Sequence, residues 1–230
     1  MLRIYRLGYI GRVGIALRRG RAQSRNHMMH WAQPQEGTLT YVALGDSAGV
    51  GVGVDDPARG YVGVIAKRLA EVTGETVRVV NLSTYGARAK NVLDAQLPKL
   101  AEVTAPDFVT CVIGSNDVAW APAFKTDDFA RDMTAVASKL PQGAVMGLVP
   151  NFLHWPYDRR AIRANHAIRQ AASLHGHAIA DIDTATKALS LREYLATFSG
   201  DYFHPNATGH ALWADAIWEQ LADQLTASAS

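Results

Sequence analysis

Four short segments of this chain carry side chains suited to acyl transfer. Gly45-Asp46-Ser47-Ala48-Gly49 sets a hydroxyl in a glycine-flanked turn. A serine held that way after a strand is exposed, and nearby backbone N–H groups can face a developing oxyanion. In Gly114-Ser115-Asn116-Asp117 the Asn116 amide can donate to the same oxygen, while Gly114 lets a substrate approach the backbone. Asn81-Leu82-Ser83-Thr84-Tyr85-Gly86 offers the Gly86 N–H as a further donor, although a turn glycine is the plainer reading of that residue alone. Near the C-terminus, Asp201-Tyr202-Phe203-His204-Pro205 spaces a carboxylate three residues before an imidazole. That separation lets Asp201 curl back onto Nδ1 of His204, fixing the tautomer and leaving Nε2 to take a serine proton. Each segment is weak by itself. Their conjunction supplies a nucleophile, a base with its orienting acid, and oxyanion donors from the Ser47 and Gly86 N–H groups and the Asn116 side chain.

The surrounding pattern has to bring these segments together. Apolar, β-prone runs stand at Thr38–Leu44, Thr76–Leu82, Asp107–Ile113, Ala144–Val149 and His177–Ile182. Between them lie helical stretches at 61–73 (Val62, Ile65, Leu69, Val72), 89–102 with Pro98 late in it, 126–140, and 158–175 with apolar Ile162 and Ile168. A last helix over 206–225 carries Leu212, Trp213, Ile217, Trp218 and Leu221. Strands alternating with helices of this length imply a mostly parallel sheet covered on both faces. Ligands of such sheets bind beyond the carboxyl ends of the strands. Three of the four segments fall there, at the first three strands, and the fourth just precedes the last helix.

Over residues 39–223 the four blocks resemble those of the SGNH (GDSL) hydrolases, with Ser47, Gly86, Asn116 and His204 on the four invariant positions. The resemblance implies a three-layer α/β/α fold with a five-stranded, flavodoxin-like sheet. It implies Ser47, Asp201 and His204 as a triad, and Ser47, Gly86 and Asn116 as the oxyanion hole. The activity implied is hydrolysis of a carboxylic ester through an acyl-enzyme, with a small-molecule ester as partner and no cofactor. Many relatives carry a small residue where Tyr85 stands, which puts the shape of the pocket in question more than the chemistry. Catalytic residues do not identify the acyl or alcohol group. Without a long lid, short acyl or acetyl esters are expected, with lysophospholipids or thioesters as the alternative. Asp46, Trp120, Phe152 and Trp155 are candidates to contact substrate, as is Phe124, although aromatic residues are more often core. Arg88 and Lys90 can attract an anionic substrate, against a default of solvated charge.

Other readings stay open at this level. Gly45-x-Ser47-x-Gly49 also matches the α/β-hydrolase elbow, but that fold places its serine after several strands, with acid and histidine on separate loops. A binding protein that has lost hydrolysis on the same scaffold is a different class, and labelling of Ser47 separates the two. No metal site is expected: His27-x-x-His30 and His175-x-His177 lack further ligands. His210 reads as a helix-surface histidine. Cys111, the single cysteine, sits in an apolar run and reads as core.

Charge divides the chain. Residues 1–38 hold seven arginines and one acid, Glu36, a net +6 that leaves −4 for the remainder. We therefore divide it into a basic arm (1–37), a hydrolase domain (38–225) and a Ser/Ala tail expected to fray (226–230). The arm's uncharged apolar runs, Leu7–Gly11 and Val13–Leu17, are too short for a signal core or a membrane span. A cytoplasmic protein is expected. The arm is read as a helix packing on the domain or as a weak contact with anionic lipid, and nucleic acid is disfavoured by the acidic domain.

Overall fold

The computed structural model describes residues 19–120, 124–153 and 156–228. Five strands, β1 (Leu39–Gly45), β2 (Val77–Asn81), β3 (Phe108–Val112), β4 (Val145–Gly147) and β5 (Ala178–Ala180), form one sheet in the order β2-β1-β3-β4-β5. Every pairing is parallel. Parallel strands cannot be joined by tight turns, so helices cross between them and cover both faces. Alternate residues of β1 show the result: Tyr41 and Ala43 enter one core, Val42 and Leu44 the other.

The first core is closed by α3 (Tyr61–Thr73) and α10 (Ala207–Ser228), through Tyr61, Ile65, Leu69, Trp213, Ile217 and Leu221. The second is closed by a helix over 89–100, here α4, with α6 (Thr126–Ala137) and α7 (Tyr157–His175). On α7 the buried stripe consists of Ala161, Ala164, Asn165, Ala167, Ile168, Ala171 and Ala172. Ile162, expected inside, is exposed, as is Val72 of α3. Small alanines let α7 lie close to its neighbours, so the apolar side chain off that stripe has nothing to pack against.

Midway along α4, Val92–Gln96 forms a π turn, in which the Leu97 N–H donates to the Val92 carbonyl. The wider turn restarts the helix just before Pro98, which then occupies an early position where its missing N–H costs little. Two six-residue helices, α8 (Ile182–Lys187) and α9 (Leu191–Ala196), have no counterpart in the sequence reading. The cap of α9 was visible in principle: Ser190 and Glu193 bond reciprocally as a capping box. α10 runs on to Ser228, into the tail expected to fray.

Candidate active site

Strand order reverses between β1 and β3, since the chain steps from β1 outward to β2 and then returns past it to β3. That reversal opens a crevice at the carboxyl ends of the two strands. Ser47 follows β1 as the first residue of α2 (Ser47–Val50), and Asn116 follows β3 as the second residue of α5 (Ser115–Trp120). Asp46 caps α2, its Oδ1 accepting from the Ala48 N–H at 3.0 Å. The cap fixes the turn that carries the hydroxyl.

His204 reaches Ser47 from the other end of the chain. Residues 197–206 fold back on themselves: the Ser199 N–H donates to the His204 carbonyl at 2.8 Å, and the Asn206 N–H to the Thr197 carbonyl at 2.8 Å. Within this loop Asp201 Oδ1 accepts from Ser199 Oγ (2.8 Å) and from the backbone N–H groups of Phe203 and His204 (both 2.9 Å). Its Oδ2 lies 2.5 Å from His204 Nδ1. Tyr202, between the two, takes the left-handed conformation (φ 54°) that closes so tight a turn. An ionised carboxylate only accepts, so Nδ1 carries the proton and Nε2 is the acceptor facing Ser47 Oγ at 2.9 Å. Burial alone would raise the Asp201 carboxyl. The hydrogen bond and charge of His204, with the two backbone N–H groups, instead hold it well below the usual carboxylate range. Ser47 and His204 are both buried, at 3% exposure.

Asn116 is held from two sides. Its Nδ2 donates to the Ala87 carbonyl at 2.9 Å and makes a longer contact of 3.4 Å with Asp46 Oδ2. The short bond orients the amide, and the long one is readily exchanged for a better acceptor. Gly86 has φ 75°, and among the described residues neither its N–H nor that of Ser47 meets a protein acceptor. Burial pushes the Asp46 carboxyl up to about 6 against the Ala48 N–H and the charge of His204. One supporting residue escaped the sequence reading. Gln96, turned inward by the π turn of α4, accepts from the Gly45 N–H (2.9 Å) and donates to the Gly45 carbonyl (2.8 Å). It thereby satisfies both backbone groups of the last β1 residue.

Beside Ser47 and His204 lies a cavity of about 260 Å³ with mostly apolar walls, including Phe152, Leu153, Leu195, Phe198 and Trp213. Of the expected contact residues, Phe152 lines it, and Asp46 borders it with its oxygens turned toward Ala48 and Asn116. Trp155 and the Trp120 side chain lie outside the described residues. Phe124 packs on Phe129 in the core instead (centroids 5.5 Å apart). His210 is corrected too: it is fully buried, accepting the Tyr61 N–H at Nδ1 (3.3 Å) and donating from Nε2 to the Val52 carbonyl (3.1 Å). Position along α10 made it look exposed, but α3 and the loop after Ser47 cover that face.

A helix over 19–31, α1, braces the same loop. The Gln23 side chain bonds the Gly53 N–H (3.0 Å) and the Val54 carbonyl, and Trp31 Nε1 donates to the Val50 carbonyl at 3.1 Å. Gly53 in turn lies against the Pro205 carbonyl, next to His204: a Cβ there would come within 2.0 Å of that oxygen. Among the described residues no group of three or more His, Cys, Asp or Glu side chains is placed to hold a metal ion. No described helix is long and apolar enough to cross a membrane.

A serine bonded to an imidazole that is bonded to a carboxylate, at the carboxyl edge of a parallel sheet and beside an apolar cavity, is the arrangement of a serine hydrolase. Residues 43–212 match the family model of the GDSL-like Lipase/Acylhydrolase family, and the chain belongs to that family. By class it is a carboxylic ester hydrolase. It is 26% identical over 211 residues to a GDSL-like esterase of Mycobacterium tuberculosis, covering 86% of this chain and 67% of that one. Solved structures share the fold. LAE5, an alpha/beta hydrolase enzyme from the metagenome of Lake Arreo, superposes with a TM-score of 0.66 at 20% identity, over 81% of this chain and 96% of its own. A variant of the acetyl xylan esterase Axe2 from Geobacillus stearothermophilus gives 0.64 at 21% identity, over 80% and 94%.

Proposed function

We propose that the protein hydrolyses carboxylic esters of short acyl chains, with Ser47 as nucleophile, His204 as general base and acid, and Asp201 as the group that orients and stabilises the imidazole. Ser47 Oγ attacks the ester carbonyl carbon while its proton passes to His204 Nε2. The tetrahedral oxyanion is met by the N–H groups of Ser47 and Gly86 and by Asn116 Nδ2, which gives up its long contact with Asp46. The bond to the alcohol oxygen then breaks, and that oxygen takes the proton from His204. Water repeats the sequence on the acyl-enzyme: its hydroxyl ends on the acid, and its remaining proton returns through His204 to Ser47.

The observation that carries this reading is the unbroken chain from Ser47 Oγ through His204 to Asp201, at 2.9 and 2.5 Å. The short acyl preference is supported by a cavity of about 260 Å³ with aromatic and leucine walls, which suits a short or medium acyl chain better than a palmitoyl one. Each methylene that fits adds about 0.8 kcal/mol of burial. Across para-nitrophenyl esters from acetyl to palmitoyl, kcat/KM should rise over the first members and then fall, and should vanish throughout in Ser47→Ala. A maximum at palmitoyl contradicts the chain-length reading, and hydrolysis surviving in Ser47→Ala contradicts the mechanism.

A further inference from the structure

The side of the site away from the apolar cavity is cationic, and part of it comes from α1. A second hollow of about 240 Å³ touches Ser47, Gly86, Asn116 and His204 and is walled by Arg21, Tyr85 and Arg88. Past Arg21 and Tyr85 it continues into a groove lined by Ser24, Arg25 and Met28 of the same helix. Ser24 is only 2% exposed, and its Oγ has no hydrogen-bond partner. No acidic side chain lines either hollow among the described residues. Arg88 also acts on Asp117, whose carboxyl burial raises and the Arg88 charge lowers, so Arg88 enters the hollow already partnered and Arg21 is the exposed cation there.

Among the described residues the apolar cavity and the cationic hollow share only Ser47, Phe203 and His204. An ester carbonyl seated at Ser47 therefore sends one substituent each way. The hydrophobic effect assigns the acyl chain to the apolar side, and the alcohol half then meets the arginines. A neutral alcohol would gain nothing from them, whereas a carboxylate or phosphate would form charge-assisted hydrogen bonds. We propose that the alcohol half of the substrate carries an anionic group bound by Arg21 and Arg88, so that α1 completes the specificity of the site. The proposal rests on the esterase reading and names its substrate class.

The test compares para-nitrophenyl butyrate with the same ester bearing a carboxylate on its ring. Wild-type kcat/KM should favour the carboxylated ester by about tenfold at low salt, the scale of one charge-assisted bond. Because Arg21 is exposed, that preference should shrink in about 0.5 M salt, a readout that needs no variant. Arg21→Gln and Arg88→Gln should each reduce the preference several-fold, through KM, and Arg21→Lys should restore part of it. A preference seen only for butyryl-lysophosphatidylglycerol over butyrylglycerol supports the same charge carried by a lipid headgroup. No preference for any anionic ester, or a preference unchanged by salt and by Arg21→Gln, overturns the proposal. If both esters are still cleaved in a Ser47-dependent way, the esterase reading stands without it. If a folded wild type cleaves neither, that reading fails first.

Discussion

Asn116 shows how much of the site depends on single hydrogen bonds. One N–H of its amide is tied to the Ala87 carbonyl, and the other makes only a long contact with Asp46. In the proposed mechanism the second N–H binds charge that exists only in the transition state. Asn116→Ala should therefore lower kcat by roughly 10²–10³ with little change in KM, measured on one short ester. A rise in KM at unchanged kcat would place Asn116 in ground-state binding instead. At this scale the sequence was informative where residue type and spacing are themselves the chemistry. Asp201 and His204 are three residues apart, and the loop between them is closed by its own backbone. Gln96 was hidden because its role depends on a π turn that points it at Gly45, and no local pattern announces that turn. Arg21 was hidden for another reason. It stands in an arm whose charge was legible, but its position beside Tyr85 comes from tertiary packing alone.

Elements place these residues, and the loop after α2 is the most constrained of them. Gly53 has φ 105° and faces the Pro205 carbonyl, so a methyl group there meets both backbone strain and a collision. Gly53→Ala should cost about 2–3 kcal/mol in denaturant unfolding. It should also lower kcat, because relief of the collision moves Pro205 and with it His204. Lost stability with full kcat would show that the loop does not position the imidazole. Strands and long helices were readable from periodicity, since burial on both faces of a parallel sheet leaves continuous apolar runs such as Phe108–Val112. The short helices α8 and α9 were missed because six residues span too few turns for a periodic signal. Ile162 misled for a related reason: apolar character marks a buried stripe only when neighbours one turn away share it, and there the stripe is alanine.

At the scale of the whole molecule, buried ionisable groups couple stability to pH. Burial pulls His210 down to about 4 from an ordinary 6.5. As pH falls through that interval the unfolded chain takes up a proton that the folded one refuses, so stability is lost toward pH 4. Asp46 and Asp117, pushed up to about 6 by burial, act in the opposite sense, and their folded forms gain protons first as pH falls. Asp201, held low, loses its contribution only below its ordinary value of 3.8. The cost of His210→Gln should therefore be smaller at pH 5 than at pH 7, by about 2 kcal/mol in urea unfolding, with the carboxyl contributions common to both proteins. An equal cost at the two pH values would mean that His210 titrates normally in the fold.

The convergence of Ser47 and His204, 157 residues apart in sequence, is tested most directly by covalent labelling with a fluorophosphonate, read by mass spectrometry of the modified peptide. Full-length protein should take up one label, on Ser47, and His204→Ala should slow the reaction by orders of magnitude while leaving circular dichroism unchanged. Labelling at another serine, or a rate at Ser47 indifferent to the loss of His204, would contradict the account.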